Sequence, residues 1–269
     1  MLLSTLAAGF AFAAAPLELT VMTYNIRYGT APDGVNAWPN RKEAVMGLLR
    51  KHDPDVLGVQ EALAGQIDEL QKALPGHEMI GVGRDDGMRK GEFSAIFVRA
   101  AKLGLRESGT RWISPEPERP GSLAFDAQIT RIFTWGDCFA EGGTRLLVLN
   151  CHLDHQSQKA RQMGGQHMRK FIDARPSLPA IVMGDFNSPA SDPPVQTLVA
   201  KGRLTDLMPA EGPFGTFTAF KPEAIDGPMI DHILISKHWE PLSVEIDRTT
   251  IDGRVPSDHF PVIARVRLR

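Results

Sequence analysis

Asp185 and Asn187 stand two residues apart at the abrupt end of an apolar run, Ile181-Val182-Met183-Gly184, and are followed by Ser188-Pro189. A carboxylate and an amide in that position can take a proton from water, hold a cation or donate hydrogen bonds to an oxyanion. Alone, the same residues equally spell an Asx-type turn, because Asp and Asn are the usual turn formers. Their company decides. Asn25 ends the run Leu17 to Ile26, and Gln60-Glu61 ends Asp55 to Val59. Asn150 and His152 close Arg145 to His152, with Asp154 just beyond. Asp231 stands in Met229 to Ser236, and Ser257-Asp258-His259 precedes the last apolar run, Pro261 to Leu268. Buried charges are costly unless paired or metal-bound, so acid, amide and imidazole groups recurring at strand ends point to one shared site. Oxygen donors without a Cys or His quartet suit a hard cation such as Mg²⁺ or Mn²⁺.

The elements that must position these groups alternate in type. A strand over Leu17 to Ile26 leads to a helix from Asn40 to about His52, with Val45, Leu48 and Leu49 at helical spacing. A buried strand, Asp55 to Glu61, precedes a helix over Ala64 to Leu74 and a strand over His77 to Val82. The Thr, Ile, Val and Phe content of Phe93 to Arg99, Lys102 to Trp112, Gln128 to Phe139 and Arg145 to His152 predicts antiparallel strands. The spacing predicts a helix from Ser157 to Ala174, with Ala160, Met163, Gln166 or His167, and Phe171 facing inward. A short helix from about Pro194 to Ala200 and strands at Met229 to Ser236, Leu242 to Ile246 and Pro261 to Leu268 complete the chain. In such α/β alternation, ligands bind at strand ends.

With 269 residues, 42% hydrophobic content and a formal charge of −2, the chain can bury a large core and lacks the basic field of a non-specific nucleic-acid binder. Residues Met1 to Ala15 carry no charge and end Ala13-Ala14-Ala15, resembling an export signal although the leading segment lacks Lys and Arg. An exported, periplasmic or extracellular protein is therefore expected, with residues 16–269 as one domain and no transmembrane segment. Export permits disulfides, but a hairpin turning at Glu141 to Thr144 would set Cys138 opposite about Leu147, four residues from Cys151. That is ~13 Å at ~3.4 Å per residue, beyond the ~7 Å reach of a disulfide, so two buried thiols are expected.

Six short motifs in order now carry a resemblance: Thr23-Tyr24-Asn25-Ile26, Val59-Gln60-Glu61, Asn150-Cys151-His152, Gly184-Asp185-Phe186-Asn187, Ile230-Asp231-His232-Ile233 and Ser257-Asp258-His259. Together they resemble the endonuclease/exonuclease/phosphatase superfamily, the fold of deoxyribonuclease I. The resemblance implies a four-layer α/β/β/α sandwich of two mixed sheets flanked by helices. It makes Glu61 the principal metal ligand, assisted by Asn25, with Asp258 reaching the metal through water. Asp185 orients or deprotonates the attacking water, and Asn187 hydrogen-bonds the transition state. His259 pairs with Asp231 and serves as base or phosphate-binding cation, whereas His152 contacts phosphate or protonates the leaving group. Asn150 shares the strand face of His152 by the period of two. Where some relatives carry a second acid after the first Asn, this chain has Arg27, which puts a second metal site in doubt. The run His152-Leu153-Asp154-His155 also mimics part of the zinc-binding stretch of metallo-β-lactamase-like hydrolases, but Asn150 replaces the preceding histidine and no downstream zinc set is found.

For substrate, Arg84 and Arg131 are candidates for phosphate oxygens, since guanidinium matches that geometry. Asp85 and Asp86 beside Arg84, and Glu92 and Ser94, are further substrate-binding candidates, and Trp38 and Trp112 are candidates for stacking in the cleft. The expected activity is Mg²⁺- or Mn²⁺-dependent hydrolysis of a phosphodiester by in-line attack of water. A phosphomonoesterase of the inositol-phosphate type or a nuclease is the alternative, and a non-catalytic binding module a remote one. The substrate is a small molecule, a lipid head group or nucleic acid, without a stable nucleic-acid complex, and the chain is expected to act as a monomer.

Overall fold

The computed structural model describes residues 16–124 and 126–269; the export-signal expectation lies outside the described residues. In chain order the elements are β1 (Glu18–Asn25), α1 (Trp38–His52), β2 (Val56–Ala62), α2 (Ala64–Ala73), β3 (His77–Ile80), β4 (Phe93–Arg99), β5 (Leu103–Trp112), β6 (Ile132–Ala140) and β7 (Arg145–His152), then α3 (Gln158–Asp173), β8 (Ala180–Asp185), α4 (Pro193–Val199), β9 (Leu204–Asp206), β10 (Asp231–Ser236), β11 (Trp239–Ile246) and β12 (Val262–Leu268). They form two six-stranded sheets, ordered β11-β12-β1-β2-β4-β3 and β5-β6-β7-β8-β10-β9.

Each sheet holds one parallel pair, β1 with β2 and β7 with β8, bridged by α1 and α3 respectively; the other pairings are antiparallel. These four strands are buried on both faces, which is why they read as near-continuous apolar runs. Val21, Val56, Val148, Ile181 and Met183 fill the space between the sheets. Met22, Tyr24, Leu57 and Val59 pack outward with Leu48, Leu49, Ile67 and Leu70 of the first helical layer. Leu147, Leu149 and Val182 meet Met168, Ile172, Val195 and Leu198 of the second. The result is the four-layer sandwich implied by the resemblance.

Several local expectations shift. β6 begins at Ile132 rather than Gln128, because Thr130 donates to Asp85 and Arg131 accepts from the Ile113 N–H, tying this lead-in to neighbouring loops. Arg131 therefore precedes the strand. On α3, Ala160 and Phe171 are buried and Met163 packs against the core as expected; of Gln166 and His167 it is His167 that turns inward, and Gly164, Gly165, Met168 and Ile172 supply the rest of the face. Gly165 sets that phase: a Cβ there would lie 2.7 Å from the Pro194 carbonyl oxygen, so only glycine admits the backbone of α4. Strand β9 was not expected. Cys138 pairs with Leu146 rather than Leu147, and both cysteines are buried free thiols. Among the described residues no helix is long and apolar enough to cross a membrane.

Candidate active site

The C-terminal ends of the two parallel pairs meet at one edge of the sandwich and deliver Asn25, Glu61, His152 and Asp185. Asp231 comes from the start of antiparallel β10, in register with Asp185, so it reaches the same edge from the opposite chain direction. His259 and Asp258 arrive on the loop before β12, where His259 bridges to Phe217. The cleft over this edge holds about 650 Å³ and is lined by Glu61, Glu92, Arg131, His152, Asp185 and His259 among others.

Asn25 joins the sheets. Its amide donates one hydrogen to Glu61 Oε1 and the other to Asp185 Oδ2, each at 3.0 Å, and its oxygen accepts the Arg27 N–H. Glu61 Oε2 accepts the Tyr28 N–H at 3.1 Å. Glu61 sits at φ +64° where the β2–β4 register slips, and Arg27 and Asn187 also take positive φ, at +58° and +47°. Such backbone is costly for residues with a Cβ and clusters where function requires a particular aim. Asp185 Oδ1 accepts the Asn187 N–H at 2.8 Å, so the Asx turn exists, but Oδ2 faces the imidazoles of His152 at 3.5 Å and His259 at 3.8 Å. The turn aims the carboxylate.

The charges are set by burial and by neighbours. Burial and the adjacent Asp231 push Asp185 up to about 7, with His259, Asn25 and the Asn187 N–H opposing. Burial would lower His259, but the Asp231 carboxylate, 2.8 Å from Nδ1, and the nearby Asp185 and Asp258 hold it well above the usual histidine range. Burial, reinforced by Arg131 and Arg84, drives His152 well below that range. One imidazole is thus cationic and the other neutral near pH 7. Burial raises Asp258 and Glu92 as well, the proximity of Glu61 adding to both.

The donor set fits a hard cation. Asp33, Glu61, Glu92, Asp185 and Asp258 line the cleft against two guanidiniums, Arg27 and Arg131, and the His259 imidazolium, and this acidic surplus disfavours a phosphate unless a cation offsets it. The most compact set of ligating atoms is Asp185, Asp231 and His259, all within 4.8 Å of one another. The His259–Asp231 hydrogen bond, with Asp185 3.8 Å from His259 Nε2, marks that trio as proton-handling, whereas Glu61 and Asp258 offer oxygens at the mouth. Arg27 already stands there, bonded to Asp33 at 3.1 Å and lying 3.9 Å from Glu61 and 3.7 Å from Asp258.

Of the residues proposed from sequence, Asn25, Glu61, Arg131, His152, Asp185, Asn187, Asp231, Asp258 and His259 gather at this edge. Several do not line the cleft. Asn150 is buried between the sheets, donating to the Val59 and Ala95 carbonyls and accepting from Gln60; Gly58 leaves room for it, since a Cβ would lie 2.8 Å from its Oδ1. Trp38 packs in the first helical layer with its indole N–H on Glu69 at 2.6 Å. Trp112 is buried with its N–H on the Arg84 carbonyl at 2.6 Å. Arg84 itself holds Glu92 at 2.5 Å, and Glu92 in turn lies 3.7 Å from His152 Nδ1. Tyr28, Asp33, Ile129 and Phe220 line the cleft without having been singled out. The Arg27-Tyr28 pair just past a strand end was the available signal for one side of that wall.

A family model described as the Endonuclease/Exonuclease/phosphatase family matches residues 22–259, the span from mid-β1 to His259. The chain belongs to this family. Among endonuclease/exonuclease/phosphatase structures it is similar to a family protein from Bacteroides thetaiotaomicron, 33% identical, with 95% of this chain and 99% of that one covered at a TM-score of 0.88. It is also similar to a mannosyl-6-phosphatase from the same organism, 34% identical over 92% of this chain and 99% of that one, TM-score 0.86. A curated relative, the CCR4-Not complex 3'-5'-exoribonuclease subunit Ccr4 of Emericella nidulans, is 26% identical over 168 residues, 52% of this chain but 25% of that protein. Family members are hydrolases of phosphoester bonds, and their fold is the one described above.

Proposed function

We propose that the chain is a divalent-metal-assisted phosphomonoesterase acting on a small hydroxylated phosphate ester, with a phosphodiester as the second reading. The observation that carries it is the acidic surplus around one buried, under-bonded guanidinium. Arg131 is 4% exposed, its Nε and Nη1 have no hydrogen-bond partner among the described residues, and its Nη2 lies 3.0 Å from His155 Nδ1. A buried guanidinium N–H left without a partner suits a phosphate oxygen. The carboxylates of Asp33 and Glu92 on the same lining accept hydroxyl hydrogens but repel further phosphates, which disfavours a polyanionic nucleic acid. The similarity to a mannosyl-6-phosphatase supports the monoester. The diester expectation draws support from the presence of both His152 and His259.

Glu61 would hold a Mg²⁺ or Mn²⁺ ion, with Asp258 through water and Asn25 fixing the Glu61 carboxylate. The bound ion supplies neutralisation of phosphate and leaving-oxygen charge. Asp185, with a pKa near 7, is suited to take the proton of the attacking water, because a base works best when its pKa lies near ambient pH. His259, kept cationic by Asp231, donates to a phosphate oxygen rather than acting as base. Neutral His152 is a hydrogen-bonding contact and a weak acid, so it binds phosphate rather than protonating the leaving group. Asn187 lines the cleft with its side-chain amide tied to the Leu153 carbonyl at 3.1 Å, which fixes its aim at the reacting centre.

Hydrolysis of 4-nitrophenyl phosphate, bis-4-nitrophenyl phosphate, mannose 6-phosphate and plasmid DNA, with Mg²⁺ or Mn²⁺ and with chelator, tests this. Monoesters should turn over only with metal, and Asp185→Ala should lose at least ~10²-fold in kcat. Turnover of diesters alone would leave the second reading standing, and chelator-insensitive turnover would refute the metal.

A further inference from the structure

A second recess, of about 360 Å³, lies on the helical face of the second sheet and shares no residue with the cleft. Its floor is Phe133 and Phe171, its wall Pro115 and Pro117, and its charged groups are Arg111, His167, Lys170 and Arg175. No carboxylate among the described residues lines it.

The cations are packed around one ring. The Arg175 guanidinium lies 3.9 Å from the Phe171 centroid and that of Arg111 5.1 Å away, and Phe171 also packs edge-on against Phe133 at 5.7 Å. Arg111 has a carboxylate partner, the largely exposed Glu118 at 2.7 Å. Arg175 has none among the described residues: its Nη1 donates to the Phe171 carbonyl at 3.1 Å. Lys170 forms no ion pair with any described residue. His167 Nδ1 is buried without a hydrogen-bond partner among the described residues. Burial, with Lys170 and Arg111 nearby, lowers the His167 pKa, so its unprotonated form predominates and its ring can share a donor or acceptor with a ligand.

Like charges held over an aromatic floor repel one another, and an anion between them relieves the repulsion while its apolar part covers the rings. A lone surface lysine needs no such partner, but half-buried guanidinium groups joined by an ammonium group at the rim of a recess with no carboxylate in its lining are complementary to one kind of ligand. We propose that this recess is an accessory binding site for a small anion, carboxylate or phosphoryl, that carries an aromatic or other apolar body. Lys170 and Arg175 hold the anionic group, and Pro115, Pro117 and Ala174, over the buried rings of Phe133 and Phe171, contact the apolar part. The site is independent of the hydrolytic reading, since none of its residues belongs to the cleft.

Calorimetric titration of the full chain in chelator, with phenylphosphonate, benzoate and inorganic phosphate as probes, tests this. Phenylphosphonate has no ester bond to hydrolyse, and comparison with benzoate separates phosphoryl from carboxylate recognition. The expected result is saturable phenylphosphonate binding that persists in Arg131→Ala, where the cleft is damaged, and weakens at least ~10-fold in Lys170→Glu. Lys170 is exposed, so that variant should keep the wild-type melting curve; Arg175→Ala is the second variant and should weaken binding likewise. Inorganic phosphate should bind at least ~10-fold more weakly than phenylphosphonate, because it leaves the apolar lining at Pro115, Pro117 and Ala174 uncovered. Binding lost in Arg131→Ala but kept in Lys170→Glu would overturn the proposal, as would equal affinity for inorganic phosphate or no binding up to about 10 mM.

Discussion

Replacing Asp231 by Asn removes one charge and little volume, and its consequence can be worked from the site. Asp231 is fully buried and its Oδ2 lies 2.8 Å from His259 Nδ1. A hydrogen bond between ionised partners contributes about 1.5–3 kcal/mol, which at about 1.4 kcal/mol per unit is about 1–2 pKa units of support for the imidazolium. Burial, the largest influence on His259, opposes the charge and would then act with less against it. The His259 midpoint should therefore fall by about 1–2 units in the metal-free protein. Asp185 should fall as well, because Asp231 is among the groups raising it. Since the two groups titrate as a coupled pair, both limbs of the kcat/KM profile should move to lower pH, the acidic limb reporting mainly Asp185 and the alkaline limb mainly His259. At pH values above the lowered His259 midpoint, where the imidazole has lost its charge but the wild type keeps it, kcat should drop by roughly 10²–10⁴-fold. Histidine carbon resonances followed through a pH titration give the first quantity and steady-state rates the second. A His259 midpoint within about 0.3 units of wild type, or a kcat within about threefold, would refute the assignment of Asp231 as the group that keeps His259 charged.

Two further outcomes test the fold. Burial would raise Asp247, but hydrogen bonds from His52, Lys51 and Thr249 hold it below the usual carboxylate range. Stability from a depressed carboxylate is present above the unfolded pKa of about 3.9 and is lost as pH falls through the folded value. Asp247→Asn should consequently lose less stability than wild type between about pH 4 and pH 2 in urea titrations, and an unchanged slope would contradict the pairing. Gly184 sits at φ +146°, and a Cβ there would lie 2.2 Å from the Cys151 carbonyl oxygen, so Gly184→Ala should cost about 3 kcal/mol or more. Gly76→Ala, with nothing within 4 Å, is the control whose urea midpoint should scarcely move; equal midpoints for the two variants would show that β7 and β8 are not held at this spacing.

What could be read from the residues was governed by period and by chain ends. The parallel-pair strands β1, β2, β7 and β8 were visible as apolar runs with polar termini, and the acids and imidazoles at those termini do converge. Direction was not visible: Asp231 begins β10 instead of ending it, which only the antiparallel pairing with β8 reveals. Nor was depth. Asn150 and His152 share a face of β7, yet Asn150 lies beneath the edge and ties the sheets together whereas His152 reaches the cleft. Trp38 and Trp112 have the composition of cleft aromatics, but each is buried and spends its single N–H within the fold, on Glu69 and on the Arg84 carbonyl, a choice made by tertiary packing. The phase of α3 was legible, but its two glycines were not, because Gly164 and Gly165 contribute to the buried face by what they lack, which a pattern of apolar side chains does not register. Arg27 was noticed for the acid it replaces, while its bonds to Asp33 and its place beside Glu61 and Asp258 depend on the turn after β1.

The amide of Asn25 grips Glu61 on one sheet and Asp185 on the other. A ligand held by those carboxylates would therefore fasten the two halves of the sandwich to each other, and its occupancy would be inseparable from the cohesion of the fold. By thermodynamic linkage, a ligand at about 100 times its Kd adds about 2.7 kcal/mol to the folded state. The melting temperature thus becomes a gauge of cleft occupancy that requires neither turnover nor knowledge of the natural substrate. The same coupling means that an inactive variant at this seam should be weighed by its melting curve before its lost activity is credited to chemistry.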